Sequence, residues 1–182
     1  MEKAPSPWNV PVAVEEIPAT GLHVELTPPE ATRDELAKFA GIRDLLRLNA
    51  VFDLDRRGSA VQVRGRVAAL VGQTCVVTLE PIESAIDEPV DVTFAPLPSS
   101  GEAGDTPGAG HHAETDDAEA PEPLVGGVLD LGALATEFLV LGVEPYPRKP
   151  GVTFTPPKAE DDGGHPFSAL AALKNRPGGG KA

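Results

Sequence analysis

The clearest pattern in the chain is a run in which apolar and polar residues alternate. Leu46, Leu48, Ala50, Phe52 and Leu54 alternate with Arg47, Asn49, Asp53 and Asp55. Beyond Arg56, Arg57 and Gly58 the alternation resumes, with Val61, Val63, Val67, Ala69 and Val71 set against Gln62, Arg64 and Arg66. A period of two puts successive side chains on opposite faces of an extended strand. The stretch therefore predicts a long hairpin turning at Gly58, with one buried and one solvated face. Shorter stretches follow the same rule: Val10, Val12 and Val14, then Leu22, Val24 and Leu26 after a turn at Gly21. Further strands are expected from about Cys75 to Leu79 and from Ile86 to Phe94. In the latter, Val90, Val92 and Phe94 face one way and Asp87, Asp91 and Thr93 the other.

Two segments switch to helical spacing. Thr32 and Glu35 have the spacing of a capping box, after which Leu36, Phe39 and Ala40 share a face and Gly41 ends the helix. Val125 to Leu129 could add a short strand. Asp130 is placed to cap a second helix carrying Leu131, Leu134, Ala135, Phe138 and Leu141, which Gly142 and Pro145 stop. The pattern predicts an α+β fold: an antiparallel sheet of about six strands with two to three short helices. Such a sheet hides one face by curling or by packing on helices, and a partly closed barrel is the expectation.

Composition divides the chain further. Its 182 residues include 20 Pro and 19 Gly, and these cluster after Leu97. Residues 1–97 read as a β-rich body with one helix. Residues 98–123 read as a disordered acidic linker, too poor in large apolar residues to offset its ordering entropy. Residues 124–150 complete the same domain, and 151–182 form a mostly flexible tail with a short helix near 166–174. In that tail Phe167, Leu170 and Leu173 make an apolar patch expected to dock on the body or in a partner's groove.

The net charge of −13 is unevenly spread. Between Ser99 and Pro123 stand Glu102, Asp105, Glu114, Asp116, Asp117, Glu119 and Glu122 without one Lys or Arg, whereas from Arg33 to Arg66 bases outnumber acids. Strand pairing would gather Arg47, Arg56, Arg57, Arg64 and Arg66 into a basic strip. That strip is either a solvated face neutralised by Asp53 and Asp55, or a surface that follows RNA phosphates. It lacks stacking aromatics, since Phe52 points inward.

Catalytic and metal chemistry find little support. The lone Cys75 is expected to act as a small hydrophobe on an apolar strand, and one cysteine cannot build a four-ligand zinc site. His111 and His112 lie in the acidic linker and would bind metal only adventitiously, while His23 and His165 have no evident partner. No phosphate-binding loop, dinucleotide fingerprint, nucleophile elbow or zinc-protease motif occurs. No catalytic residue, metal or cofactor is expected. An enzyme relying on Cys75 or a histidine-held metal is the weaker rival. No stretch approaches the ~18 apolar residues of a membrane span, so a cytoplasmic protein without a membrane partner is expected.

Three segments carry a family resemblance. They are Val63-Arg64-Gly65-Arg66-Val67 running into Thr74-Cys75-Val76-Val77-Thr78-Leu79-Glu80-Pro81, then Leu129-Asp130-Leu131 with its amphipathic helix and Glu144-Pro145-Tyr146-Pro147-Arg148-Lys149, and finally His165-Pro166-Phe167 through Lys174. In order and spacing these resemble the YceD family. The resemblance implies a non-enzymatic role in accumulation of large-subunit (23S) ribosomal RNA, with that RNA or a ribosomal protein as partner. An adaptor, or a chaperone for a basic ribosomal protein, is the alternative. Many members carry a second cysteine three positions after the first, implying a metal site. Thr78 stands there in this chain, so metal binding is not carried over.

Overall fold

A computed structural model describes residues 6–96 and 121–156. The strands are β1 (Pro11–Ala13), β2 (Leu22–Leu26), β3 (Asp44–Arg57), β4 (Ala60–Thr74), β5 (Pro81–Pro96), β6 (Glu122–Leu124) and β7 (Val128–Asp130). The helices are α1 (Glu30–Ala40) and α2 (Leu131–Gly142), with a single 3-10 turn at Val14–Glu16. Helices and strands in one body bear out the α+β class. The barrel is not found: the main sheet is open, in the order β2-β3-β4-β5-β6, and β6 runs parallel to β5, so it is mixed.

The predicted hairpin is the spine of the fold. β3 and β4 pair from Arg57↔Ala60 down to Asp44↔Gly72, and β5 continues along β4 from Val61↔Phe94 to Thr74↔Pro81. Phe52, Leu48, Leu54, Val61, Val63, Val67 and Val71 are fully buried on the inner face. Against that face lie Leu36 and Ala37 of α1, and Leu131, Leu134, Ala135 and Leu139 of α2. Burying a side chain of this size contributes ~1.5–3 kcal/mol, which is why the alternation was so legible. Gly65 lets the β3 and β4 backbones close, for a Cβ there would run into the Val51 carbonyl.

Several expectations require correction. β1 does not pair with β2; it pairs with β7 in a separate two-stranded ribbon, Pro11↔Asp130 to Ala13↔Val128. A bulge between Leu45 and Arg47 turns Leu45 inward and leaves Leu46 exposed. α1 starts before the expected capping box, after Pro28 and Pro29, so Thr32 lies inside it and Phe39 faces solvent. Gly41 does end the helix, in the left-handed conformation (φ 66°). Residues 75–79 are not a strand but the turn from β4 to β5. Leu139 takes the buried place expected of Leu141, which is exposed.

Asp130 explains the Leu129-Asp130-Leu131 motif. Leu129 and Leu131 are buried. The Asp130 carboxylate accepts from Ala133 N (3.0 Å) at the start of α2, from Val10 N (2.9 Å) and from the Asn9 side chain. One side chain thus caps the helix and binds the N-terminal segment, whose Trp8 is buried. Chain through Gly151 forms one compact unit and residues from Val152 another. Glu122 and Pro123, expected in the linker, belong to β6. The rest of the expected linker up to Ala120, with His111 and His112, and the tail patch of Phe167, Leu170 and Leu173, lie outside the described residues.

Candidate functional site

On the outer face of the sheet, charges alternate across four strands. His23 pairs with Asp53, Asp53 with Arg64, and Arg64 with Asp91 in the strand register. The His23 ring nitrogen lies 2.6 Å from Asp53, which together with Glu25 raises the imidazole pKa above its usual 6.5. Gln62 donates to the other oxygen of Asp91 (3.0 Å), and Arg66 meets Asp87 at 2.6 Å. His23 therefore has partners that the sequence did not reveal.

The expected basic strip is not one surface. Arg64 and Arg66 are neutralised by Asp91 and Asp87 on β5 rather than by Asp53 and Asp55. Arg47 sits beside the bulge at one end of β3, and Arg56 and Arg57 lie at the other, some ~30 Å away at ~3.3 Å per residue. None of these three has a carboxylate partner among the described residues; Arg56 Nε instead donates to the Gly58 carbonyl (3.2 Å). A cleft of about 400 Å³ between α1 and the start of β3 is lined by both signs of charge, Glu30, Asp34 and Asp44 with Arg33, Lys38 and Arg43.

A second cluster forms where the β4–β5 turn meets the segment after α2. Cys75 is fully buried in that turn. Its Sγ accepts from Thr78 N (3.5 Å) and, across the molecule, from Lys149 N (3.4 Å). Donation by the Thr78 hydroxyl, then by the amides of Lys149 and Thr78, outweighs burial and lowers the thiol pKa from 9.0 to about 6. Cys75 is therefore a hydrogen-bonded anchor, not the inert hydrophobe expected on a strand. The surrounding groups do not fit a metal, because the thiolate's neighbours are N–H and O–H donors and the Lys149 ammonium. No group of three His, Cys, Asp or Glu suited to a metal ion occurs among the described residues.

The same segment is fastened at further points. Gln73 Nε2 donates to the Glu144 carbonyl (2.8 Å), Val76 N to the Pro147 carbonyl (2.9 Å), and the Lys149 ammonium meets Glu80 at 2.8 Å. Lys149 holds the Glu80 pKa below its ordinary value, and Glu80 raises that of Lys149. Between these points Tyr146 is 71% exposed, and Arg148, also exposed, has no ion pair among the described residues. Leu79, at the tip of the turn, is 77% exposed with φ 59°, the one left-handed non-glycine residue described. That conformation costs ~1–2 kcal/mol. Sequence reasoning placed Tyr146 and Arg148 in the family-like Pro-rich stretch without giving them a role; prolines on both sides of the chain's only tyrosine were the available signal.

Fold and cluster together define an α+β protein built on a long antiparallel ribbon whose far end is strapped to the segment after α2. The family model of the Large ribosomal RNA subunit accumulation protein YceD matches residues 63–174, more than half of the chain, and the protein belongs to that family. No curated protein and no solved structure matches the chain. The matched span holds the Cys75 turn, α2 and the strap with Tyr146 and Arg148; Arg47, Arg56 and Arg57 precede it. No helix among the described residues is long and apolar enough to cross a membrane.

Proposed function

We propose that this protein supports accumulation of large-subunit ribosomal RNA during ribosome assembly, as a cytoplasmic factor that binds its partner and transforms no substrate. The observation that carries the reading is family membership across residues 63–174. Cys75 is fully buried and its Sγ accepts the amides of Thr78 and Lys149, which suits an anchor for the segment after α2. Depleting the protein should lower large-subunit RNA relative to small-subunit RNA. An unchanged ratio would refute the proposal.

A second reading is that it holds a basic ribosomal protein before that protein reaches RNA. Seven acids and no Lys or Arg between Ser99 and Pro123 favour it. Removing residues 99–120, while keeping β6, should then weaken capture of the basic protein and leave the fold intact.

A further inference from the structure

We propose that Tyr146 and Arg148 form a stacking and phosphate contact for unpaired nucleotides of large-subunit ribosomal RNA. The inference rests on the function proposed above and names the surface that would serve it. Tyr146 lies between two prolines, and its own amide donates to Glu144 Oε1 (3.2 Å). On either side the backbone is fixed: the Glu144 carbonyl by Gln73, the Pro147 carbonyl by Val76 and the Lys149 amide by Cys75. The fixed groups face the body, while the side chains of Tyr146 and Arg148 are left in water.

An exposed aromatic ring on a backbone held at so many points has little freedom left to lose, which favours binding. Unpaired bases stack on such rings whatever their sequence, and an arginine two residues along suits the adjoining phosphate. The charges at the site are mixed, with Glu144 accepting the Tyr146 amide, so the case for a nucleotide rests on the exposed ring and on Arg148 beside it. Glu80 is already neutralised by Lys149, whereas Arg148 has no ion pair among the described residues; Arg47, Arg56 and Arg57 share that property, but of these four only Arg148 has an aromatic residue two positions away. The sheet face offers a poorer RNA surface, since Arg64 and Arg66 already hold Asp91 and Asp87.

The test is binding of the full chain to transcribed large-subunit ribosomal RNA, followed by salt titration and ultraviolet crosslinking. Tyr146→Ala should weaken the complex by on the order of tenfold or more, and Tyr146→Phe, which keeps the ring, by less than about twofold. Arg148→Glu should weaken binding and reduce the salt slope by about one. The crosslinked peptide should contain Tyr146. Tyr146→Ala binding as tightly as the wild type would overturn the inference, as would a wild-type protein with no affinity for the RNA. Loss of a ribosomal protein rather than of RNA by Tyr146→Ala would overturn it in favour of a protein partner. If depletion lowers the RNA ratio and Tyr146→Ala fully restores it, this contact fails while the wider function stands. If depletion leaves the ratio unchanged, the wider function fails as well.

Discussion

Arg64 and Asp91 stand directly opposite each other on β4 and β5, the guanidinium Nε 3.4 Å from the carboxylate. Their row runs on through Asp53 to His23, so each charge in it has an opposite charge as neighbour. A face arranged in this way satisfies itself. A phosphate approaching Arg64 would have to displace a carboxylate already in place.

Charge reversal of these arginines should thus disturb the fold more than any partner. Arg66→Glu places a carboxylate beside Asp87, and like charges on neighbouring strands destabilise by ~0.2–1 kcal/mol. Both groups are more than half exposed, which keeps the effect at that scale. Urea denaturation should show the loss, recovered in the double variant Arg66→Glu/Asp87→Arg. Binding to large-subunit RNA should change by less than about twofold.

Asp130 joins two parts of the chain, and its removal should loosen both. Asp130→Ala deletes the cap on Ala133 N and the acceptor for Val10 N. A lost cap costs ~1 kcal/mol, and the unmet Val10 amide adds to it. Denaturation should report ~1–3 kcal/mol, and limited proteolysis should cut the segment before β1 first. Asp130→Asn, which keeps an acceptor oxygen, should lose less.

How much of this was legible in the sequence depends on how far each residue's partner lies along the chain. The β3–β4 hairpin could be read because Leu48, Phe52, Val63 and Val67 face a single core and their neighbours face water. The bulge could not, since Leu45, Leu46 and Leu48 are all apolar, and only packing against α1 selects Leu45 and Leu48. Cys75 to Leu79 has strand-like residues, yet β5 must reverse there to lie along β4. Local propensity yields to that topology. β1 found a partner more than a hundred residues away, which no local pattern reveals. At the candidate site, Asp87 and Asp91 were expected on the outer face, but only the β4–β5 register shows which arginines they neutralise. Tyr146 could be placed in the family-like stretch but given no role, because its setting depends on Gln73, Cys75 and Val76, three residues distant in sequence.

Gly65 and Leu79 make opposite predictions about the backbone. Gly65→Ala would drive a Cβ into the Val51 carbonyl, and overpacking of this kind costs ~1–3 kcal/mol or more. Leu79→Gly should relieve the left-handed strain at φ 59° and stabilise by up to ~1 kcal/mol, once the extra freedom of glycine in the unfolded chain is deducted. Thermal melts of the two variants should move in opposite directions.

The pH dependence of stability should bear the mark of Cys75. Its folded pKa, about 6, lies below the 9.0 of the unfolded thiol. Between those values the unfolded chain keeps a proton that the folded chain has released, so stability rises with pH. The contribution is complete above about 9 and lost as pH falls through about 6. His23 acts in the other direction: its folded pKa is raised above 6.5, so its contribution is full below 6.5 and lost as pH rises through the folded value. Glu80 and Lys149 do not slope this window, because Glu80 shifts down from 4.5 and Lys149 up from 10.5. Melting temperature measured across the window should therefore climb most steeply in His23→Gln, where the opposing slope is gone. In Cys75→Ser, which keeps an acceptor for the amides of Thr78 and Lys149 but does not ionise, the climb should vanish. A serine variant that still climbed like the wild type would show that Cys75 is not held as a thiolate, and that the amides of Thr78 and Lys149 do not fasten the strap through its charge.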